Sequence, residues 1–248
     1  MHLSFVLLPR PYDADGTAIV AAHARLFPNE PRPLASAAKD QTVELRDKDD
    51  TTTFVALMPA PVPNGEAEHA ARGSLAAFSS RTAPIPPHTA HLLVTTLPPA
   101  GAATVDTLLR HTRVVAAAAV AYGAVGIYEG NACATHPTAF YVDVVTSSRR
   151  PLMVWTGISV ASENGRASVL TLGAENVLGI PDLLVTAPPA SGNEALAFAF
   201  DMLGYVVDRG SPLPEGDTVG RSASEKITVR YVPSPVDETR RVVRLDLP

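Results

Sequence analysis

The apolar residues of this chain fall in short runs, each closed by glycine, proline or a charged turn. Over the first hundred residues their period switches repeatedly between strand and helix. That alternation constrains the fold more than any other feature. His2–Leu8 reads as a buried strand. Asp13, Asp15 and Gly16 form a turn, with Asp15 placed to cap the helix that carries Ile19, Val20, His23, Leu26 and Phe27 and that Pro28 ends. Thr42–Arg46 and Thr52–Met58 are strand-like runs on either side of the charged turn Asp47-Lys48-Asp49-Asp50, which makes them a hairpin. Glu66 to Phe78 reads as a second helix, Ser79 to Pro87 as a proline-rich connection, and His91–Leu97 as the next strand. The order β-α-β-β-α-β matches the split βαβ, or ferredoxin-like, arrangement.

The second half continues in the same style. Val105, Leu108, Leu109, Thr112, Val115, Ala116, Ala119 and Val120 share one face of a long helix that Gly123 closes, with Arg110 and Arg113 elsewhere on the wheel. His111 is assigned to that helix's surface. Val125–Tyr128 is a short strand, and Ala139–Val145 fits either a strand or a helix. Leu152–Val160 reads as a strand, joined to Ser168–Leu172 through an Asn164-Gly165 turn. Gly173 to Gly179 is irregular, Asp182–Thr186 is a strand, and Asn193 can cap a helix carrying Leu196, Phe200, Leu203 and Val207 up to Gly210. Ile227–Val232 and Val242–Leu247 close the chain as a strand pair. The expected class is α+β, with mixed or antiparallel sheets and packed helices, compatible with two ferredoxin-like halves. The expected division is 1–98 and 99–248, with a single compact unit also open.

Composition excludes several functions. Of the 248 residues, 46% are hydrophobic and 18% charged, enough apolar mass for a real core and too little charge for a disordered chain. A formal net charge of −5 argues against a nucleic-acid binder. One cysteine, Cys133, excludes a disulfide framework and a cysteine zinc site. The longest weakly polar run, Val114 to Tyr128, is too short to span a bilayer. The start MHLSFVLLPR lacks the basic residues of a secretory signal, so the expected location is cytoplasmic, without membrane attachment.

A resemblance enters in the C-terminal part. Thr171-Leu172-Gly173 runs on through Gly179-Ile180-Pro181-Asp182-Leu183-Leu184-Val185 to a helix. Then come Gly216-Asp217-Thr218-Val219-Gly220 and Ser224-Glu225-Lys226-Ile227. This order resembles the bacterial domain of unknown function DUF4261, most strongly over 152–232. The Trp155 strand and the start Phe5-Val6-Leu7-Leu8 fit longer proteins that carry the domain. The resemblance implies a soluble α+β protein of bacterial accessory type. It transfers no reaction and no catalytic residue, and it points to an interaction or immunity-type role.

No Gly-x-Ser-x-Gly elbow, His-Glu-x-x-His pair, Walker loop or dinucleotide fingerprint is present. Gly216–Gly220 lacks the lysine and helix that a phosphate loop needs. No two of the seven histidines stand four apart, so no helix offers a metal pair, and neither metal nor cofactor is expected. The densest polar set is Tyr128-Glu129-Gly130-Asn131-Ala132-Cys133-Ala134-Thr135-His136. Loops at strand ends often carry binding groups, so Tyr128, Glu129, Asn131 and His136 are the candidate binding residues. Trp155, the only tryptophan, joins them as a core or interface anchor. No catalytic residue is assigned. The expected role is non-catalytic binding of a protein partner, with a homodimer left open. The alternative is a small-molecule enzyme, such as a hydrolase, built on the 128–136 loop.

Overall fold

The computed structural model describes residues 1–36, 39–78, 85–101, 104–163 and 165–248. It divides into two compact units, 1–154 and 155–248. The strand around His91–Leu97 and the long helix after it, expected on opposite sides of a boundary at 98/99, lie in one unit because the helix packs back onto that strand's own sheet.

The first unit is built on a seven-stranded sheet of β1 (His2–Leu8), β2 (Leu34–Ala35), β3 (Thr42–Arg46), β4 (Thr52–Met58), β5 (Ala90–Leu97), β6 (Gly126–Glu129) and β7 (Ala134–Pro137). Their spatial order is β2-β3-β4-β5-β1-β6-β7, and every neighbouring pair is antiparallel. The hairpin β3–β4 has the expected bounds. The split βαβ order is absent, since it would set β1 beside β4, whereas β4 and β5 pair directly and β1 lies beyond them.

Four helices belong wholly to this unit: α1 (Gly16–Leu26), α2 (Glu66–Ala70), α3 (Thr104–Ala121) and α4 (Thr138–Ser147). Asp15 caps α1 by accepting the Thr17 N–H at 2.8 Å. The run at Ala139–Val145 resolves as α4, and Pro137 at its N-cap position suits that start. The single helix expected from Glu66 to Phe78 is instead α2 followed by two 3-10 turns, Ala71–Gly73 and Leu75–Phe78. The chain breaks at Gly73 because its backbone presses on β7's approach. A Cβ there would stand 2.2 Å from the Cys133 carbonyl oxygen. Of the proline-rich connection, 79–84 lie outside the described residues.

Strand alternation sends β1's side chains to two layers. Phe5 and Leu7 pack with Tyr128, Val62 and Ala67 on the α2 side. Ser4, Val6 and Leu8 face α3, whose buried stripe includes Leu108, His111, Thr112 and Val115.

The second unit holds a five-stranded sheet of β8 (Gly157–Glu163), β9 (Arg166–Leu172), β10 (Leu183–Ala187), β13 (Arg230–Pro233) and β14 (Arg241–Asp246), in the order β13-β14-β10-β9-β8. Here β10 and β14 are parallel and the other pairs antiparallel, so this sheet is mixed. The loop expected at Gly216–Gly220 contains β11 (Thr218–Val219), paired with β12 (Ile227–Thr228). The register Glu163↔Arg166 closes the expected β8–β9 hairpin, with Asn164 of its turn outside the described residues. α7 (Gly192–Arg209) starts without a side-chain cap, so the Asn193 cap does not form, and it buries Ala195, Phe198, Ala199, Leu203 and Val206. Gly210, at φ 70°, ends it as expected. The whole chain is thus α+β.

Two further expectations change here. Leu152–Val160 is not one strand: α5 (Leu152–Trp155) is a helical turn, and β8 begins only at Gly157. Pro151 favours that turn, with Val154 N–H bonding its carbonyl at 3.0 Å. Gly173 to Gly179 contains α6 (Ala174–Leu178), bracketed by two glycines at φ 83° and 73°, values at which a side chain is strained.

Candidate functional site

Within the first unit the candidates Tyr128, Glu129, Asn131 and His136 lie in different environments. Tyr128 lies on β6 facing Phe5, with ring centroids 5.3 Å apart, in the apolar layer under α2. Asn131 is exposed in the 3-10 turn Gly130–Ala132. Trp155 is 2% exposed at the start of the second unit, on α5 rather than on a strand. Glu129 and His136 do share a face of the sheet, because β6 and β7 pair Ile127 with His136 and alternation returns Glu129 to that side.

His136 is fully buried. Its Nδ1 lies 2.8 Å from Ser74 Oγ, and its ring stands 6.0 Å from that of Tyr141. Burial pushes its pKa down to about 3, against a smaller opposing effect from the Val154 backbone, so the ring is neutral. Cys133, three residues away, has φ 51° and is exposed, so its side chain lies in a different environment from the buried His136 ring.

The half-buried Glu129 turns its carboxylate inward and joins a chain of buried side chains that crosses the sheet. Tyr141 O–H donates to Glu129 Oε1 at 2.8 Å, and Ser4 O–H donates to Oε2 at 2.5 Å. Ser4 Oγ also lies 2.7 Å from His111 Nε2. His111 Nδ1 lies 2.8 Å from Thr96 Oγ1, and Thr96 Oγ1 lies 2.8 Å from Thr53 Oγ1. Six side chains from β4, β5, α3, β1, β6 and α4 are joined in one path.

His111 is 2% exposed, which overturns its placement on the surface of α3. The signal for burial was present. His111 is three residues after Leu108 and four before Val115, on the helix's apolar stripe. Burial, with weaker contributions from His2 and the N-terminal amine, pushes its pKa down to about 3. Burial pushes Glu129 up to about 7, against the hydrogen bonds from Ser4 and Tyr141 that favour the charged form. Burial likewise holds Tyr141 well above the ordinary phenol range, so it stays a donor.

The groups of a serine triad are here in the wrong order. A triad places histidine between serine and carboxylate, so that the imidazole takes the serine proton and the acid orients the imidazole. In this chain Ser4 stands between His111 and Glu129, and the far nitrogen of His111 meets a threonine. Ser4 is fully buried, with no face open to an attacked carbonyl.

In the second unit Asp182 has a definite task. Its Oδ1 accepts from the Thr171 hydroxyl at 3.0 Å and the Ala174 N–H at 2.9 Å, and its Oδ2 accepts from the Gly173 N–H at 3.1 Å. It anchors the start of α6, while Glu175 is drawn outward beside Arg240. Among the C-terminal arginines, Arg244 pairs with Asp246, which Arg230 also approaches, as a solvated strand face does.

Among the described residues no helix is long and apolar enough to cross a membrane. Neither the curated proteins nor the solved structures contain a match to this chain. Residues 170–246, which run from the end of β9 through α6, α7 and the β13–β14 pair, match the model of the domain of unknown function DUF4261, the family that the motifs from Thr171 to Ile227 resemble.

Proposed function

We propose that this protein binds another protein by strand addition at the outer edge of β8, and that it carries out no reaction at the 128–136 loop. One observation carries the reading. Among the described residues β8 has a strand neighbour on one side only, and the second half of its length is open to solvent. Val160 is 44% exposed, with Ala161 and Ser162 exposed after it. In an antiparallel pair, alternate residues of the edge strand direct their N–H and C=O groups away from the partner, where another extended chain can take them up.

Natural edge strands are normally blunted by lysine, proline or a bulge. Gly157-Ile158-Ser159-Val160-Ala161-Ser162-Glu163 has none of these, pairs residue for residue with β9, and bears no charge before Glu163. The opposite edge, β13, carries Arg230 and ends in Pro233, which suits an edge kept free. The enzyme alternative loses its motivation, because the Glu129 carboxylate spends both oxygens on the buried Ser4 and Tyr141 hydroxyls and the His136 ring is fully buried.

The test is affinity capture with the full chain and with Val160→Lys, which puts a charge in the middle of the open edge without touching the core. A stoichiometric partner held by the wild type and lost from the folded variant supports the reading. The same partner on both, or none on either, sinks it. Sedimentation of the purified chain tells whether that partner is a second copy.

A further inference from the structure

Between the C-terminal end of α1, the β3–β4 turn and α3 the first unit has an open cleft of about 90 Å3. Its polar groups are unevenly satisfied. Arg113 Nη2 donates to Glu30 Oε1 at 2.7 Å, and Arg110 pairs with Asp49 and donates to Thr51 Oγ1 at 3.1 Å. A guanidinium has five N–H donors, so both arginines keep donors to spare while their rim acids hold them in place.

Two other groups of the wall have no such match. Asp47, half-buried in the wall, accepts no hydrogen bond on its carboxylate among the described residues. Burial raises its pKa, and the nearby charges of Arg110 and Arg113 oppose that rise. His23, also in the wall, is 5% exposed, and its buried Nδ1 has no hydrogen-bond partner among the described residues. Its ring is neutral, since burial and Arg113 hold its pKa at about 4 against the attraction of Glu30. The cleft therefore sets cationic donors and a carboxylate without a hydrogen-bond donor in one wall. Glu30, Asp47 and Asp49 are offset by Lys48, Arg110 and Arg113, so the formal charge of the wall is zero.

These observations select a ligand. A lone anion would gain the arginines but meet three carboxylates. A lone cation would gain Asp47 but meet both guanidiniums. A metal ion has no seat, since no group of three His, Cys, Asp or Glu side chains among the described residues is placed to hold one. A small dipolar molecule satisfies both sides, with its ammonium on Asp47 and its carboxylate on the spare N–H groups of Arg110 and Arg113.

We infer that this cleft is a binding site for a small zwitterion of the α-amino-acid class. It stands on α1, α3 and the β3–β4 turn and is independent of the β8 edge.

The experiment is an amide NMR titration of the full chain with L-alanine, with acetate and methylammonium as single-charge controls. Saturable shifts at Asp47–Asp49, Arg110 and Arg113 are expected with L-alanine and not with either control at the same concentration. Asp47→Asn keeps the shape and removes the ammonium's counter-charge, and should weaken binding about ten-fold or more. Arg110→Gln, on the half-exposed rim, is the second variant and should weaken it similarly. Acetate binding as well as L-alanine, with Asp47→Asn unaffected, would show a plain anion site and overturn the inference. Absence of any saturable shift would show a cleft filled by water alone, with the same consequence.

Discussion

The hydroxyl of Ser4 and the carboxylate of Glu129, 125 residues apart in sequence, meet at 2.5 Å, and the proton between them sets the polarity of the whole buried chain. When Glu129 is ionised it can only accept. Ser4 then donates to it and must accept from His111 Nε2–H, which leaves Nδ1 bare to accept from Thr96, and Thr96 accepts from Thr53. When Glu129 Oε2 is protonated and donates to Ser4, every one of those bonds can reverse. The His111 tautomer is therefore tied to a carboxyl on another element. With Glu129 held at about 7, the Nε2–H form should dominate above neutrality and the Nδ1–H form should grow below it. Imidazole nitrogen NMR of the native protein reads this directly. A tautomer constant across that range would place the proton on Oε1, toward Tyr141.

The same carboxyl gives a stability prediction with a definite sign. Its folded pKa, about 7, lies above its ordinary value of 4.5, so the folded state holds more protons between those values. Its contribution is fully present below pH 4.5 and is lost as pH rises through 7. Glu129→Gln removes that titration. The difference in unfolding free energy between wild type and variant should shift in the variant's favour from pH 4.5 to 7.5. A difference that stays flat over that interval would refute a raised carboxyl.

Histidines act in the opposite direction. His111 and His136, at about 3, and His2 and His23, at about 4, are all held below the ordinary 6.5, so the unfolded chain takes up protons that the fold excludes. Their contribution is present above pH 6.5 and is lost as pH falls toward 3. Urea midpoints measured from pH 7 to pH 4 should fall steadily. His136→Gln, if it folds, should reduce the slope. A midpoint unchanged down to pH 4 would mean that these rings are protonated in the native state.

Mutational costs along the chain should depend on position. Ser4→Ala removes a hydroxyl that two buried groups use and strands both, at a cost of about 2–4 kcal/mol. Thr53→Val removes only the terminal donor in a nearly isosteric change, at a cost of about 1 kcal/mol. Equal costs from chemical denaturation would show that the six side chains do not act as one path.

Much of the fold could be read locally. The β3–β4 hairpin and β1 have the bounds that alternation and the charged turn imply, and α1 has its Asp15 cap. What failed was decided at long range. Glu66–Phe78 has helical periodicity throughout, but a backbone contact with Cys133, some sixty residues onward, breaks it at Gly73. The β4–β5 pairing that excludes the split βαβ order has no local signal, because strands of either order show the same alternation. The candidate site was legible as a polar cluster at 128–136 and illegible as a network. The partners of Glu129 are Ser4 and Tyr141, and nothing within the loop names them. Arg110 and Arg113 were visible off the apolar stripe of α3, but their cleft needs α1 and the β3–β4 turn to close around it.

Gly73 gives the sharpest steric test. A β-carbon there would stand 2.2 Å from the Cys133 carbonyl oxygen and 3.2 Å from its carbonyl carbon, and both are backbone atoms that cannot rotate aside. Gly73→Ala must therefore push the 3-10 turn away from the approach to β7. That movement also pulls at the neighbouring Ser74, whose hydroxyl partners His136 Nδ1 at 2.8 Å. The cost should reach about 2–3 kcal/mol, above the usual range for a surface glycine, because overpacking and a strained buried hydrogen bond combine. Ser74→Ala separates the two effects. It loses the hydrogen bond without the clash and should cost about 1–2 kcal/mol. Denaturant unfolding of both variants ranks them, and a Gly73→Ala variant as stable as the wild type would mean that β7 is free to yield there.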